Sequence, residues 1–173
     1  MVTLQSSDKT FDETTIISTH MDFSRFDCGN ADFNDFAKNE ALDDCKNNIS
    51  VTYVGMINGR PAAFVTLVAA AYRTEFLKTK ITGIHKYRQI PAIKIARIAT
   101  DKSCQRRGCG EALVQHSVAI GFLVQKHIGC KLIITDALPD KVHWYEKQGF
   151  VPSMKIGMDP ARENCPMYAV LSE

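Results

Sequence analysis

The chain carries no run approaching the ~18 consecutive apolar residues that a membrane helix needs, so no membrane partner is expected. Its first ten residues, MVTLQSSDKT, hold no basic stretch leading into an apolar one. No secretory signal is expected there, and a cytoplasmic protein is. Six cysteines, at 28, 45, 104, 109, 130 and 165, include no C-x-x-C pair, and five histidines, at 20, 85, 116, 127 and 143, are scattered. Neither set has the short ligand spacing of a zinc site, so the expected metal content is none and the thiols are read as reduced. Excess charge is also scarce: 21 Lys and Arg against 19 Asp and Glu leave a net of +2. That alone does not argue for nucleic acid. The dinucleotide fingerprint G-x-G-x-x-G and the P-loop G-x-x-x-x-G-K-[ST] are both missing, which excludes the two common phosphate-binding motifs.

What is present suits one globular domain over 1–173, with residues 1–10 loose. Thr14–Thr19 is β-branched and reads as a strand. A helix opens at Asp32, with Phe33, Phe36, Ala37 and Leu42 near helical spacing and Asp32 as a candidate cap. Ser50–Met56 and Pro61–Ala71 flank Asn58-Gly59, a hairpin turn signal because both residues tolerate positive φ. Residues 72–90 are polar and basic, with room for a short helix and a loop. Pro91–Thr100 alternates as a strand, and Glu111 to about Lys126 is helical, with a stripe of Ala112, Leu113, His116, Ala119, Ile120 and Leu123. Cys130–Thr135 is a buried-type strand, Asp140–Gln148 a short helix stopped by Gly149, and Phe150–Lys155 and Met167–Leu171 are closing strands. The fold class is therefore mixed α/β, and Ile93–Thr135 forms a βαβ unit with two parallel strands and a right-handed crossover.

The chemistry concentrates in the turn between that strand and helix: Gln105, Arg106, Arg107, Gly108, Cys109 and Gly110. A glycine-rich turn opening a helix aims several backbone N–H groups one way, and the helix adds partial positive charge, which suits a pyrophosphate. Gly108 and Gly110 remove side chains where phosphate oxygens approach the backbone. Arg106 and Arg107 either add charge to that site or are solvated. Lys78, Lys80, His85, Lys86, Arg88 and Lys94 also fall in one segment, equally a polyanion surface or solvated loop charges.

The turn reads Q-x-x-G-x-G and resembles the acyl-CoA pyrophosphate loop of the GNAT acetyltransferases. Trp144, Tyr145, Glu146, Gly149 and Phe150 resemble the aromatic-Tyr-E-x-x-G-F stretch of the same family. The resemblance covers about residues 14–171 and is sharpest over 95–151. It implies a central mixed sheet of about six to seven strands whose fourth and fifth strands splay to admit acetyl-CoA. Backbone groups of Ile98, Ala99 and Thr100 would hold the pantetheine arm, and residues 105–110 the pyrophosphate. A neutral primary amine would attack the thioester directly, with a backbone N–H of the fourth strand stabilising the oxyanion. Tyr145 would be the general acid toward the leaving thiolate, since a phenol of pKa ≈ 10 lies close to an alkyl thiol.

A finer resemblance rests on Phe26-Asp27-Cys28-Gly29, Thr52-Tyr53-Val54, Ala96 to Asp101, and Asp136-Ala137. These resemble the GNAT branch of toxins that acetylate the α-amine of aminoacyl-tRNA and are paired with a ribbon-helix-helix antitoxin. Charged tRNA and such an antitoxin are then the implied partners, and a homodimer is common among GNAT relatives. The chain departs from that branch in its low net charge and in carrying Arg107 and Cys109 where small or apolar residues are usual. Two other readings stay open: a small-molecule amine acceptor, and a GNAT-like module that binds acetyl-CoA without turnover.

Each singled-out residue also has a plainer reading. Tyr145 and Trp144 are packed aromatics on a helix. Glu75 and Glu111, the candidate bases, are solvated, as is His143, and Asp101 is a turn residue. Gln105 bonds either loop backbone or phosphate. Cys109 contributes backbone only, since no paired histidine appears by spacing. Arg97, alternating within its strand, faces either the substrate or a buried acid.

Overall fold

The protein is described by a computed structural model covering residues 10–84, 86–153 and 164–172. The expectation of a loose N-terminus therefore falls, apart from Thr10, outside the described residues, as do His85 and the end of the strand expected to reach Lys155. In chain order the elements are β1 (Glu13–Ile16), α1 (Ala31–Asp35), a π-helical turn (Phe36–Glu40), α2 (Ala41–Lys46), β2 (Val51–Ile57), β3 (Arg60–Arg73), β4 (Gln89–Thr100), α3 (Cys109–His127), β5 (Leu132–Ala137), α4 (Val142–Lys147), β6 (Val151–Pro152) and β7 (Cys165–Val170). Short 3-10 turns occupy Thr74–Phe76, Lys102–Cys104 and Pro139–Lys141.

The seven strands form one sheet in the order β1-β2-β3-β4-β5-β7-β6. The β4–α3–β5 unit is parallel, as expected. The pairs β1/β2, β2/β3, β5/β7 and β6/β7 are antiparallel. Asn58 and Gly59 take φ of 52° and 70°, the positive values their turn requires, and Ile57 pairs with Arg60 across it.

Three local readings are corrected. The first helix is capped by Asn30, not Asp32: the Asn30 side chain accepts the Phe33 N–H at 3.1 Å, and Asp32 sits inside the first turn. Among its described residues the segment 72–90 holds no α-helix, the 3-10 turn standing between the ends of β3 and β4. In α3 the buried stripe is Cys109, Leu113, Val114, Ser117, Val118 and Gly121, so of the expected stripe only Leu113 is fully covered, and Leu123 is exposed. Hydrophobicity misplaced that face because two of its members are small and unhydrophobic. Ser117 tolerates burial by donating to the Leu113 carbonyl at 2.7 Å.

The described residues cluster in two compact units that share β3, β4 and α3. The first takes residues 10–68 and 95–117. Its core is an aromatic group of Phe23, Phe26, Phe36 and Phe64 with centroids 5.5–6.5 Å apart, joined by Ile17, Ala37, Ala41, Val54 and Ala99. Tilted and edge-on ring pairs of this kind add about 0.5–1.5 kcal/mol each beyond their buried area.

The second unit takes residues 69–94 and 118–172. Tyr72, Leu77, Ile90, Ala92, Leu132, Ile134 and Tyr168 form its core. The Tyr72 hydroxyl is bonded to Ser153 Oγ, and Tyr72 and Tyr168 lie 5.7 Å apart, centroid to centroid. Gly121 is there to let Leu171 in: a Cβ at position 121 would meet Leu171 Cδ1 at 2.7 Å, and Leu171 is fully buried. Helix propensity alone would make Gly121→Ala stabilising by about 1 kcal/mol. Overpacking against Leu171 is expected to reverse the sign, with a net loss of roughly 1–2 kcal/mol in urea unfolding. A gain in stability would show that Leu171 yields freely.

Candidate active site

The turn after β4 is assembled by two carboxylates in the first unit. Asp101 ends the strand, its own N–H bonded to the Ala62 carbonyl at 2.8 Å. One oxygen of Asp101 accepts the Ser103 N–H at 2.9 Å and the Ser103 hydroxyl at 2.6 Å. The other accepts the Asp27 N–H at 2.9 Å. Burial pushes the Asp101 carboxyl up, but the Asp27 and Ser103 donors together leave it below the ordinary carboxylate range. It is the turn residue expected.

Asp27 returns the contact. Its carbonyl accepts the Lys102 N–H at 2.9 Å, and its carboxylate takes Lys102 Nζ at 2.7 Å, the Gly29 N–H at 2.8 Å and Asn34 Nδ2 at 2.9 Å. The Lys102 bond, then those from Asn34 and Gly29, hold the Asp27 carboxyl well below its usual range. Phe23 and Phe26 anchor the chain just before it in the aromatic core. The loop 27–30 is thereby fixed against the start of the turn.

Gln105 closes the arrangement. Its side-chain amide donates to the Thr100 carbonyl at 3.1 Å and to the Cys28 carbonyl at 3.2 Å. Of its two expected roles, the structure gives it the backbone one. Arg106 and Gly108 then take φ of 60° and 79°, while Arg107 between them does not enter the positive region. Alternation of this sign turns successive N–H groups toward one side and makes an anion-binding concavity. Gln105, Arg106, Arg107 and Gly108 are exposed. Among the described residues, a Cβ at position 108 would touch only Thr10 Oγ1, at 3.9 Å. α3 begins at Cys109, two residues before the expected Glu111, so its first N–H groups continue the same concavity. The residues present therefore fit a pyrophosphate held by main chain.

Cys109 is buried, and its thiol donates to the Cys104 carbonyl at 3.5 Å. Burial pushes that thiol up in pKa, which suits backbone duty rather than nucleophilic attack. On β4, Ala99 is buried in the aromatic core, and Ile98 and Thr100 are half-buried. Beside the turn lies a depression of about 780 Å³ lined by Asp22, Arg25, Ile57, Arg60, Asp101 and Arg107, among others.

Sequence reasoning left Arg97 between substrate and buried acid. The structure places its guanidinium over the Phe36 ring, 3.9 Å from the centroid, and no carboxylate among the described residues pairs with it. Phe36 belongs to the π-helical turn, where the Ala41 N–H reaches back five residues to the Phe36 carbonyl. Such a stack is worth about 0.5–2 kcal/mol. The π-turn carried no sequence signal, because the hydrophobic spacing of Phe33, Phe36 and Ala37 is the same for an uninterrupted helix.

Tyr145 lies in the second unit, on α4. It is buried, edge-on to Trp144 at 4.8 Å and to Phe150 at 5.2 Å. Burial pushes its phenol up in pKa, and a hydrogen bond with Thr135 of β5 pulls partly back. A phenol is protonated at neutral pH in any case, and burial moves its ionisation further away. His143 is exposed and 3.4 Å from Glu146, and Glu75 pairs with Arg73 at 3.3 Å, so both take the plain surface reading. Glu111 stands in the first turn of α3, where an acid is favoured by the helix dipole.

In the same unit, Tyr168 Oη accepts the N–H groups of Lys78 at 2.9 Å and Thr79 at 3.1 Å, fixing the basic segment after β3. Lys78, Lys80, Lys86 and Arg88 are exposed, with no ion pair among the described residues, and Tyr87 beside them is 59% exposed. Lys94 does not join them, because Asp136 holds its Nζ at 2.6 Å.

A family model described as an acetyltransferase (GNAT) domain matches residues 48–152, a span that contains both the turn and Tyr145. The chain belongs to the GNAT acetyltransferases. It is an acyl-CoA N-acetyltransferase, and its co-substrate is acetyl-CoA. Among solved structures, AtaT complexed with acetyl-methionyl-tRNAfMet is 25% identical, with 90% of this chain and 94% of that one covered and a TM-score of 0.77. A bacterial toxin superposes at a TM-score of 0.82 with 16% identity over 92% and 90% of the two chains. A tyrosine-to-phenylalanine mutant of KacT superposes at 0.77 with 23% identity over 92% and 96%. The last two likenesses speak to the GNAT fold alone. As for membranes, no helix among the described residues is long and apolar enough to cross one.

If the concavity after β4 holds the pyrophosphate, Gly108→Glu sets charge and bulk in front of it. Acetyl-CoA binding, followed by calorimetry, is expected to fall below detection while the thermal unfolding curve stays cooperative. Retained binding would mean that the pyrophosphate lies elsewhere.

Proposed function

We propose that this acetyltransferase modifies the α-amine of aminoacyl-tRNA, with Tyr145 as the acid and a small antitoxin as its cognate partner. The observation that carries the reading is the likeness, over nine-tenths of both chains, to a toxin solved with an acetylated aminoacyl-tRNA. AtaT is also solved bound to the C-terminus of the antitoxin AtaR, which supports the antitoxin as partner. A homodimer belongs to the same reading. Lys78, Lys80, Lys86 and Arg88, exposed and without an ion pair among the described residues, give the chain with Tyr87 a surface suited to phosphate backbone and base stacking, despite its small net charge.

Acetyl-CoA, when bound, supplies an acyl group already activated as a thioester. The N–H groups of residues 106–110 bind its pyrophosphate, with Gln105 holding that turn in shape, and the backbone of Ile98, Ala99 and Thr100 takes the pantetheine arm. Tyr145 Oη holds a proton at neutral pH and gives it to the departing sulfur. An α-amine of pKa ≈ 8 is already partly neutral near pH 7, whereas a lysine amine of ≈ 10.4 is not. Acceptors of the first kind need no strong base, which agrees with the surface roles of Glu75 and His143.

The test is transfer of labelled acetyl from acetyl-CoA to a pool of charged tRNAs, with uncharged tRNA as control. Label is expected on charged tRNA only, and label confined to polyamines, free amino acids or protein N-termini would overturn the acceptor. Tyr145→Phe is expected to lower turnover about 10²-fold with acetyl-CoA affinity nearly intact. Because burial raises the Tyr145 pKa, the loss of rate attributable to its ionisation should begin only above about pH 10. Unchanged turnover in the phenylalanine variant would remove Tyr145 from the chemistry.

A further inference from the structure

Arg97 sits at a position where β4 otherwise presents apolar side chains. On its face of the strand, Ile93, Ile95 and Ala99 are buried, and Ala99 belongs to the aromatic core with Phe36 and Phe64. An arginine among such neighbours normally meets a carboxylate. Here none pairs with it among the described residues, although the adjacent helical segment carries Asp32, Asp35, Glu40, Asp43 and Asp44. Asp35 accepts Asn39 Nδ2 at 2.7 Å, and Asp43 pairs with Lys46 at 3.4 Å.

The guanidinium carbon lies 3.9 Å from the Phe36 centroid, and none of the group's five N–H donors bonds a described residue. Arg97 is half-buried, so those donors are partly withdrawn from water while making no hydrogen bond to a described residue. Phe36 is itself held in a π-helical turn, a rare geometry that occurs frequently at functional sites. The result is a planar fork whose donors are taken by no described residue, one residue from Ile98. Such a fork matches an oxyanion in bidentate fashion.

We propose that Arg97 is a specificity-determining residue that binds an oxyanion of the acceptor. It rests on the acceptor reading above, in which that anion is the phosphate 5′ to the aminoacylated nucleotide. Were the acceptor a free amino acid, its carboxylate would take the same place.

The experiment compares Arg97→Gln and Arg97→Lys with the unaltered chain on two matched pairs of acceptors. One pair is a 3′-aminoacyl adenosine with and without its 5′-phosphate, and the other is a free amino acid and its amide. In the first pair, Arg97→Gln is expected to cost the phosphorylated acceptor about tenfold or more in kcat/KM, chiefly through KM, and to leave the other within twofold. Arg97→Lys should recover part of that loss, since charge remains and the fork does not. Dependence on Arg97 confined to the carboxylate pair would uphold Arg97 and overturn the tRNA acceptor. Losses equal within both pairs, or no loss at all, would overturn the role of Arg97 and leave the acceptor reading intact. No turnover by the unaltered chain on any of the four would overturn both.

Discussion

Two aspartates hold the turn after β4 in shape. Asp101 receives donors from its own turn and from Asp27, and Asp27 receives Lys102 in return, so two loops remote in sequence are locked by reciprocal hydrogen bonds. The backbone N–H groups of Asp27, Gly29, Lys102 and Ser103 satisfied this way would otherwise compete for whatever approaches the turn. Among the described residues, what remains unsatisfied is the set of N–H groups at 106–110, and their availability is a product of how completely the rest of the loop is bonded. The Gln105 amide, spent on two carbonyls, completes that enclosure.

The same division of labour explains why so much of the fold was legible in the sequence and so much of the site was not. Strand alternation, the Asn58-Gly59 turn and the glycine spacing at 108 and 110 are local, and local chemistry decides them. The parallel β4–α3–β5 unit followed from those pieces. The buried face of α3 did not, because Ser117 and Gly121 are buried for their size, and only the position of Leu171 reveals that. The cap of α1 was misassigned by two residues for a related reason: Asn30 and Asp32 are both competent caps, and the choice depends on where the 27–30 loop delivers the chain.

Arg97 shows the limit most plainly. Its alternation in β4 was visible, yet whether it met an acid or stood free depended on Phe36, sixty-one positions earlier, and on a widened helical turn that hydrophobic spacing does not encode. Tyr145 is the opposite case. The sequence placed it on a short helix beside Trp144 and before Gly149, and the structure shows the packed aromatic of its plainer reading, with burial pushing its phenol up in pKa.

The tie from Tyr168 to the N–H groups of Lys78 and Thr79 spans 90 and 89 positions of chain. β7, which carries that hydroxyl, pairs with both β5 and β6 and follows the basic segment in the chain. A growing chain therefore displays its basic segment without the anchor that shapes it until β7 has been made. For a catalyst whose proposed acceptor is a component of translation, maturation of that surface waits on a strand synthesised well after it.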